Sequence, residues 1–458
     1  MAENKGAERI EVRIAEQVRA AGGTTYYVGG PVRDRLMAAA DAKEAEAGDV
    51  DIEVHGISPE ELQKILAGIG EPLSFGKSFG VYSLRGWDID IAMPRRERAT
   101  GTGHKDFEIF VDPFLGTREA ARRRDFTINA LMEDVLTGEI IDHFGGVADI
   151  QNKMIRHVDD RTFPEDPLRV LRAAQFAARF GFTIAEETME LCRGIDISTL
   201  SRERVEAEMK KALLKAERPS VFFESLREMD QLEIWMPELA KTIGIEQDPV
   251  YHPEGDVWTH TMEVLDRAAQ YRDKVPDPYA FMLLALTHDM GKIITTEEIN
   301  GRIHAYGHEI EGLELVEPFL ERLVSGRDVI RYVLNMVPLH MRPNVAAYSK
   351  PSLKSTNRLF DAAAEPEDLI YFAFADRPVF AGTEAFSGDG DFLFDRLEQY
   401  RETMAKPHVT GQDLVEAGFE PGEYFGDVLN YAHKLRLAGV EKPSALKQTI
   451  AYARKYKS

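Results

Sequence analysis

The sequence predicts an α+β protein, with a small α/β head over residues 1–150 and an all-helical body behind it. Three observations carry this prediction. Short β-rich runs (TTYYVGG, DVDIEVHG, VYSL, DIDIAM, EIIDHF) all fall in the first 150 residues, mixed with helical stretches. From about residue 151 onward apolar residues recur at three- and four-residue spacing, as in EDPLRVLRAAQFAARFGF and SRERVEAEMKKALL, which is the signature of packed amphipathic helices. A chain of 458 residues also exceeds what one hydrophobic core organises. Proline, glycine and histidine interrupt the helical periodicity at 248–256 and 405–413. The expected divisions are therefore a head at 1–150, a helical neck at 151–245, a central helical domain at 246–385 and a helical tail at 386–458.

Composition narrows the class. Apolar content of 44%, charged content of 29% and the lack of an apolar run of bilayer length point to a water-soluble chain that does not enter a membrane. The N-terminal stretch is polar with no apolar core of a signal peptide, so a cytoplasmic location is expected. The single cysteine, Cys192, excludes an internal disulfide and a multi-cysteine zinc site, and is expected to pack inside a helix layer. A formal charge of −22 argues against a surface that coats nucleic acid. It leaves room for a local cationic groove, for which Arg122-Arg123-Arg124 is the candidate. Residues 38–47, rich in Ala and Glu, read as a helix extension or surface loop.

In the head, Tyr26-Tyr27-Val28-Gly29-Gly30-Pro31-Val32-Arg33-Asp34 reads as a strand entering a glycine pair and then a helix opened by proline. Gly29 and Gly30 let backbone amides approach a phosphate, the helix start adds partial positive charge, and Arg33 offers a planar fork. By itself this is also an ordinary strand–turn–helix junction. The run Gly48-Asp49-Val50-Asp51 strengthens the functional reading, because alternation along a strand points Asp49 and Asp51 to the same side. Two neighbouring carboxylates repel unless a cation lies between them, and hard oxygen ligands suit Mg²⁺. Asp90, in Asp88-Ile89-Asp90, is the candidate third carboxylate. Such a cluster serves phosphoryl-type transfer without a covalent intermediate.

Further on, Glu165-Asp166-Pro167 opens a helix that carries Arg169 and Arg172. Asp166 and Arg169, three apart, share a helix face and set an acceptor beside donors. The edges of cytosine and adenine, an amino donor next to an unprotonated ring nitrogen, match that pattern, whereas guanine and uracil reverse it. A plain salt bridge is the competing reading. In the helical body, His260, the pair His288-Asp289 and Asp376 form a series of imidazole and carboxylate groups able to bind a divalent ion, with His308 and His340 as candidate extra ligands or phosphate contacts.

The order GGxVRD, DxD and then Arg123-Arg124-Asp125-Phe126-Thr127-Ile128-Asn129-Ala130 resembles the class II tRNA nucleotidyltransferase and bacterial poly(A) polymerase family. That resemblance implies that Arg124 and Asn129 contact the triphosphate, that Asp125 meets the ribose hydroxyls, and that Glu165, Asp166, Arg169 and Arg172 select the base. The H…HD…D series resembles the HD-domain phosphohydrolases, and an HD domain behind such a head resembles the CCA-adding subgroup. The implied activity is addition of C and A from CTP and ATP to the 3′ end of tRNA, with a second 2′,3′-cyclic phosphodiesterase or phosphatase activity. Mg²⁺ would serve the head and Ni²⁺, Mn²⁺, Fe²⁺ or Mg²⁺ the HD site. DNA is not an expected partner. The TGQDL…PG segment of the tail resembles the part of such enzymes that grips tRNA. The alternatives are a poly(A) polymerase, a CC-adding enzyme, and an HD hydrolase with an inert head.

Overall fold

The computed structural model describes residues 9–40, 50–74, 80–99, 107–377 and 387–456. Asp49, most of the 38–47 segment and the tip of the loop after Arg96 lie outside the described residues. The chain folds as two compact units, Met1–Ser201 with Val221–Gln231, and Arg202–Ser220 with Leu232–Ser458. The 151–245 segment is thus shared between them.

The first unit is built on a mixed sheet. Its strands are β1 (Thr24–Val28), β2 (Val50–His55), β3 (Pro72–Ser74), β4 (Val81–Leu84), β5 (Ile89–Ala92) and, after the separate ribbon β6 (Arg95–Ala99)–β7 (Phe107–Val111), β8 (Met132–Asp134) and β9 (Ile140–Ile141). The spatial order is β3-β4-β5-β2-β1-β8-β9. Among the described pairings of this sheet, β2 and β5 run parallel, with Asp51 opposite Asp90, and the others are antiparallel. The helix α1 (Ile10–Ala20) turns Ile14, Ala15 and Val18 into the core, and α2 (Gly30–Ala40) begins two residues after β1. The helix α3 (Pro59–Ile69) starts at Ser58, whose hydroxyl accepts from the Glu61 amide, with proline in its first turn.

The helix α4 (Thr117–Arg122) leads into the RRDFTINA segment, and α5 (Gly146–Gln151) follows β9. A 3₁₀ turn, Phe163–Glu165, precedes α6 (Leu168–Phe180). Both Asp166 and Pro167 therefore sit before the helix, where the Asp166 carboxylate accepts from the Leu168 amide at 3.1 Å. The helix α6 ends at Gly181, whose φ of 65° is the left-handed stop that glycine adopts at no steric cost. Phe126 packs edge-on against both Phe163 and Phe176, and Cys192 is fully buried, as its sequence context suggested.

Among its described residues the second unit is helical apart from a small hairpin, Glu297–Ile299 with Arg302–His304. Its most apolar helix, Pro278–Thr287, is buried from Tyr279 to its end and capped by Asp277, which accepts from the Tyr279 and Ala280 amides. Beside it pack Val257–Ala268, capped by Asp256, and Pro366–Asp376. Among the described residues no helix is long and apolar enough to cross a membrane.

Candidate functional site

In the first unit, a cavity of about 330 Å³ opens over the parallel pair β2/β5. Asp51 and Asp90 both line it, on neighbouring strands spaced about 4.8 Å apart. Arg95, Arg123 and Arg124 line the same cavity. Carboxylates that converge opposite guanidiniums form the donor set expected around a divalent ion and a phosphate chain. Gly29 explains part of this shape: it has a φ of 70°, and a side chain there would meet Nη1 of Arg124 at 3.2 Å.

Glu53 continues the alternation of Asp51 and also lines the cavity. Its carboxylate lies 3.5 Å from the Arg124 guanidinium and 2.8 Å from Nε2 of His55. Burial would raise its pKa, yet His55 and Arg124 outweigh burial and hold it below the ordinary glutamate value. Arg123 and Arg124 belong to the arginine run that the sequence offers as a cationic groove, whereas Glu53 and Arg95 are additions of the structure. The signal for Glu53 was present as the third member of the Asp49/Asp51/Glu53 alternation.

The remaining head motifs meet behind the cavity. Arg33 is only 5% exposed: it donates to Asp34 and to the Asn129 side-chain carbonyl at 2.6 Å, and stacks over Phe180 at 4.6 Å and Phe176 at 5.3 Å. Asn129 in turn donates to Asp125 at 2.9 Å. Asp125 also accepts from the Phe126 amide at 2.8 Å and from Nε of Arg172 at 2.7 Å. Burial pushes the Asp125 carboxyl up, but Arg172 and the hydrogen bonds hold it below the usual value. Arg33, Asn129 and Asp125 therefore form one buried network that reaches the partly exposed Arg172, and Arg33 is not among the cavity-lining residues. Arg169 donates to the backbone carbonyls of Thr162 (2.7 Å) and Arg123 (2.8 Å), tying the start of α6 to the arginine run.

In the second unit, His260, His288, Asp289, His308, His340 and Asp376 converge in two lobes around Asp289. On the Oδ2 side lie Nε2 of His288 (3.3 Å) and of His260 (3.6 Å), both also near Oδ1 of Asp376 at 3.4 and 3.1 Å. On the Oδ1 side lie Nε2 of His308 (3.2 Å) and of His340 (3.8 Å). Every imidazole is oriented from behind through Nδ1: His260 by Glu254 at 2.6 Å, and His288, His308 and His340 by backbone carbonyls at 2.7–3.0 Å. All four thus turn Nε2 inward, the arrangement that fixes metal-ligating histidines.

The fit to a cation is visible in the atoms themselves. Nε2 of His288 and Oδ2 of Asp289 are buried without an aligned hydrogen-bond partner, although the Lys292 ammonium forms an ion pair with Oδ2 at 2.7 Å. Burial would lower His288, yet Asp289 and Asp376 push it up to about 10, so the cage favours positive charge at its centre. Mixed imidazole and carboxylate ligation suits several divalent transition metals. Close glycines build the cage: a side chain at Gly312 would come 2.6 Å from the His308 carbonyl oxygen and 2.7 Å from Gly291 Cα, so glycine at both positions lets His308 approach Asp289. Lys292 and Glu254 were missed in the sequence, although Lys292 stands three residues after Asp289.

Comparison with known proteins matches these two units. A family model described as the poly A polymerase head domain covers residues 25–156, one described as a probable RNA and SrmB-binding site of polymerase A covers 181–243, and an HD domain model covers 257–377. The multifunctional CCA protein of Halorhodospira halophila is 34% identical over 432 residues, 92% of this chain and 98% of the relative. The chain belongs to the CCA-adding branch of the tRNA nucleotidyltransferase and poly(A) polymerase family. A second family member, from Nitrosospira multiformis, is 36% identical and spans 82% of this chain and 87% of its own length. Solved relatives share the fold. The CCA-adding enzyme of Bacillus stearothermophilus in complex with CTP gives a TM-score of 0.67 at 21% identity, covering 98% of both chains. That of Thermotoga maritima, complexed with tRNA, gives 0.63 at 21% identity, covering 96% of this chain and 94% of its own.

Proposed function

We propose that this chain completes the 3′ end of tRNA, adding C and A from CTP and ATP, and that its second site hydrolyses phosphoesters. In the addition step the RNA 3′-hydroxyl attacks the nucleotide α-phosphorus, the new ester bond forms, and pyrophosphate leaves. The observation that carries this reading is the convergence of Asp51 and Asp90 on a cavity shared with Arg123 and Arg124. The likeness to multifunctional CCA proteins along 92% of the chain favours tRNA over general polyadenylation.

Asp51 and Asp90, with Asp49, would hold Mg²⁺, which when bound lowers the pKa of the attacking hydroxyl and neutralises the leaving pyrophosphate. Arg124, braced by Glu53, and Arg123 take the triphosphate oxygens. Arg169, fixed in plane by two backbone carbonyls, presents donors to the base edge, and the Asp166 carboxylate supplies the acceptor. The network of Arg33, Asn129, Asp125 and Arg172 supports a role in holding those groups rigid. The test uses tRNA lacking its last three nucleotides, incubated with CTP and ATP and then sequenced at the product ends. CCA ends are expected; an oligo(A) tail, a stop after CC, or no extension would each overturn the reading.

The second activity rests on the inward Nε2 atoms and on the Asp289 and Asp376 carboxylates they surround. His260, His288, Asp289 and Asp376 would hold a divalent ion of Ni, Mn, Fe or Mg, which activates water for attack on phosphorus. Glu254 keeps His260 in the tautomer that offers Nε2.

A further inference from the structure

A cavity of about 490 Å³ opens beside the HD cluster, and neither the cluster nor the head accounts for it. At its inner end lie His308, a member of the cluster, and Lys292, which contacts Asp289 at 2.7 Å. At its outer end the small hairpin and the turn after it present His304 and Tyr306, whose rings stack at 4.9 Å and 12°. Tyr306 remains 70% exposed and Tyr251, across the same cavity, 65% exposed. Large aromatic rings left open on a pocket wall form a stacking platform for another planar ring.

Size and charge narrow the ligand. The volume lies in the range of pockets that hold one small molecule, and suits a single nucleotide. Glu246, Asp248 and Glu309 also line the cavity, so a triphosphate or a run of RNA backbone crossing it would meet like charge. A ligand with a neutral base outside and one phosphoester inside meets aromatic rings at one end and cationic or metal-binding groups at the other. We infer that this cavity is a nucleoside subsite of the HD cluster, seating the base of a terminal nucleotide on the His304–Tyr306 platform while its single phosphoester reaches the cluster. The assignment rests on the reading of that cluster as a phosphoesterase.

The test uses the full chain loaded with manganese, as wild type, Tyr306→Ala and Tyr306→Phe, with metal content measured in each. Two esters are compared: adenosine 2′,3′-cyclic phosphate and glycerol 1,2-cyclic phosphate, which lacks a base. Tyr306→Ala should raise KM for the nucleotide about tenfold, with kcat within about twofold and KM for the base-free ester unchanged, and Tyr306→Phe should behave as wild type. An unchanged KM for the nucleotide, or an equal rise for both esters, overturns the subsite. If neither ester is hydrolysed by any form, the phosphoesterase reading fails, and calorimetric titration with adenosine 3′-monophosphate decides the platform separately. Binding about tenfold weaker in Tyr306→Ala upholds it, and equal binding overturns it.

Discussion

Asp125 offers the sharpest separation between a residue that touches substrate and one that holds the site together. The family resemblance assigns it to the ribose, yet it is 9% exposed and accepts from Arg172, Asn129 and the Phe126 amide. Removing one partner of a buried charge pair costs about 3–5 kcal/mol. The Arg172 side chain keeps 30% exposure and can turn to water, so Asp125→Ala should lose about 2–4 kcal/mol. For a unit of this size each kcal/mol shifts Tm by about 2–4 °C, which gives a fall of roughly 5–15 °C by calorimetry. Hydrogen exchange of the peptide spanning 125–129 should quicken in parallel. The pH dependence has a definite sign. Because the folded pKa is depressed below 3.8, the stabilisation is present at neutral pH and is lost only as pH falls below that value. Asp125→Asn should therefore converge with wild type in acid. A melt within 2 °C of wild type, approximately the precision at which no network loss is resolvable, together with weakened CTP binding would refute the structural argument and restore the ribose role.

Four other substitutions probe different layers. Asp51→Asn or Asp90→Asn should lower nucleotide addition by roughly a hundredfold or more while leaving the melt unchanged, because both groups line an open cavity; near-normal addition by either variant would remove it from the metal set. Gly312→Ala forces a carbon to within 2.6 Å of the His308 carbonyl oxygen, so stability should fall by about 1–3 kcal/mol and retained metal should drop after dialysis. Asp368 is buried, which pushes its carboxyl up to about 6 despite the hydrogen bond from Tyr332 at 2.6 Å. A raised carboxyl pKa means the folded state holds the proton more tightly, so stability should decline from pH 4 to 6 by up to about 2 kcal/mol and Asp368→Asn should flatten that slope in denaturant titrations.

What could be read in the sequence was what local spacing encodes. The glycine pair, the carboxylate alternation and the His288-Asp289 doublet announce themselves within a few residues, and the helical body follows from periodicity. Asp90 was legible as a candidate, but its place opposite Asp51 depends on parallel pairing of β2 with β5, which no local pattern specifies. The network behind the cavity was not legible for the same reason: Arg33 meets Asn129 across 96 positions, and Arg172 meets Asp125 across 47. A phosphate-like reading of Arg33 was reasonable from the glycine turn alone. What overrides it is α6, where Phe176 and Phe180, four apart on one face, cover the guanidinium. An arginine so enclosed bonds to Asp34 and Asn129 and does not line the cavity. The same logic reconciles the net charge of −22 with an RNA substrate. Arg95, Arg123 and Arg124 gather at one cavity beside Asp51, Glu53 and Asp90, so guanidinium groups are placed locally in a chain whose acidic remainder disfavours contact with RNA elsewhere.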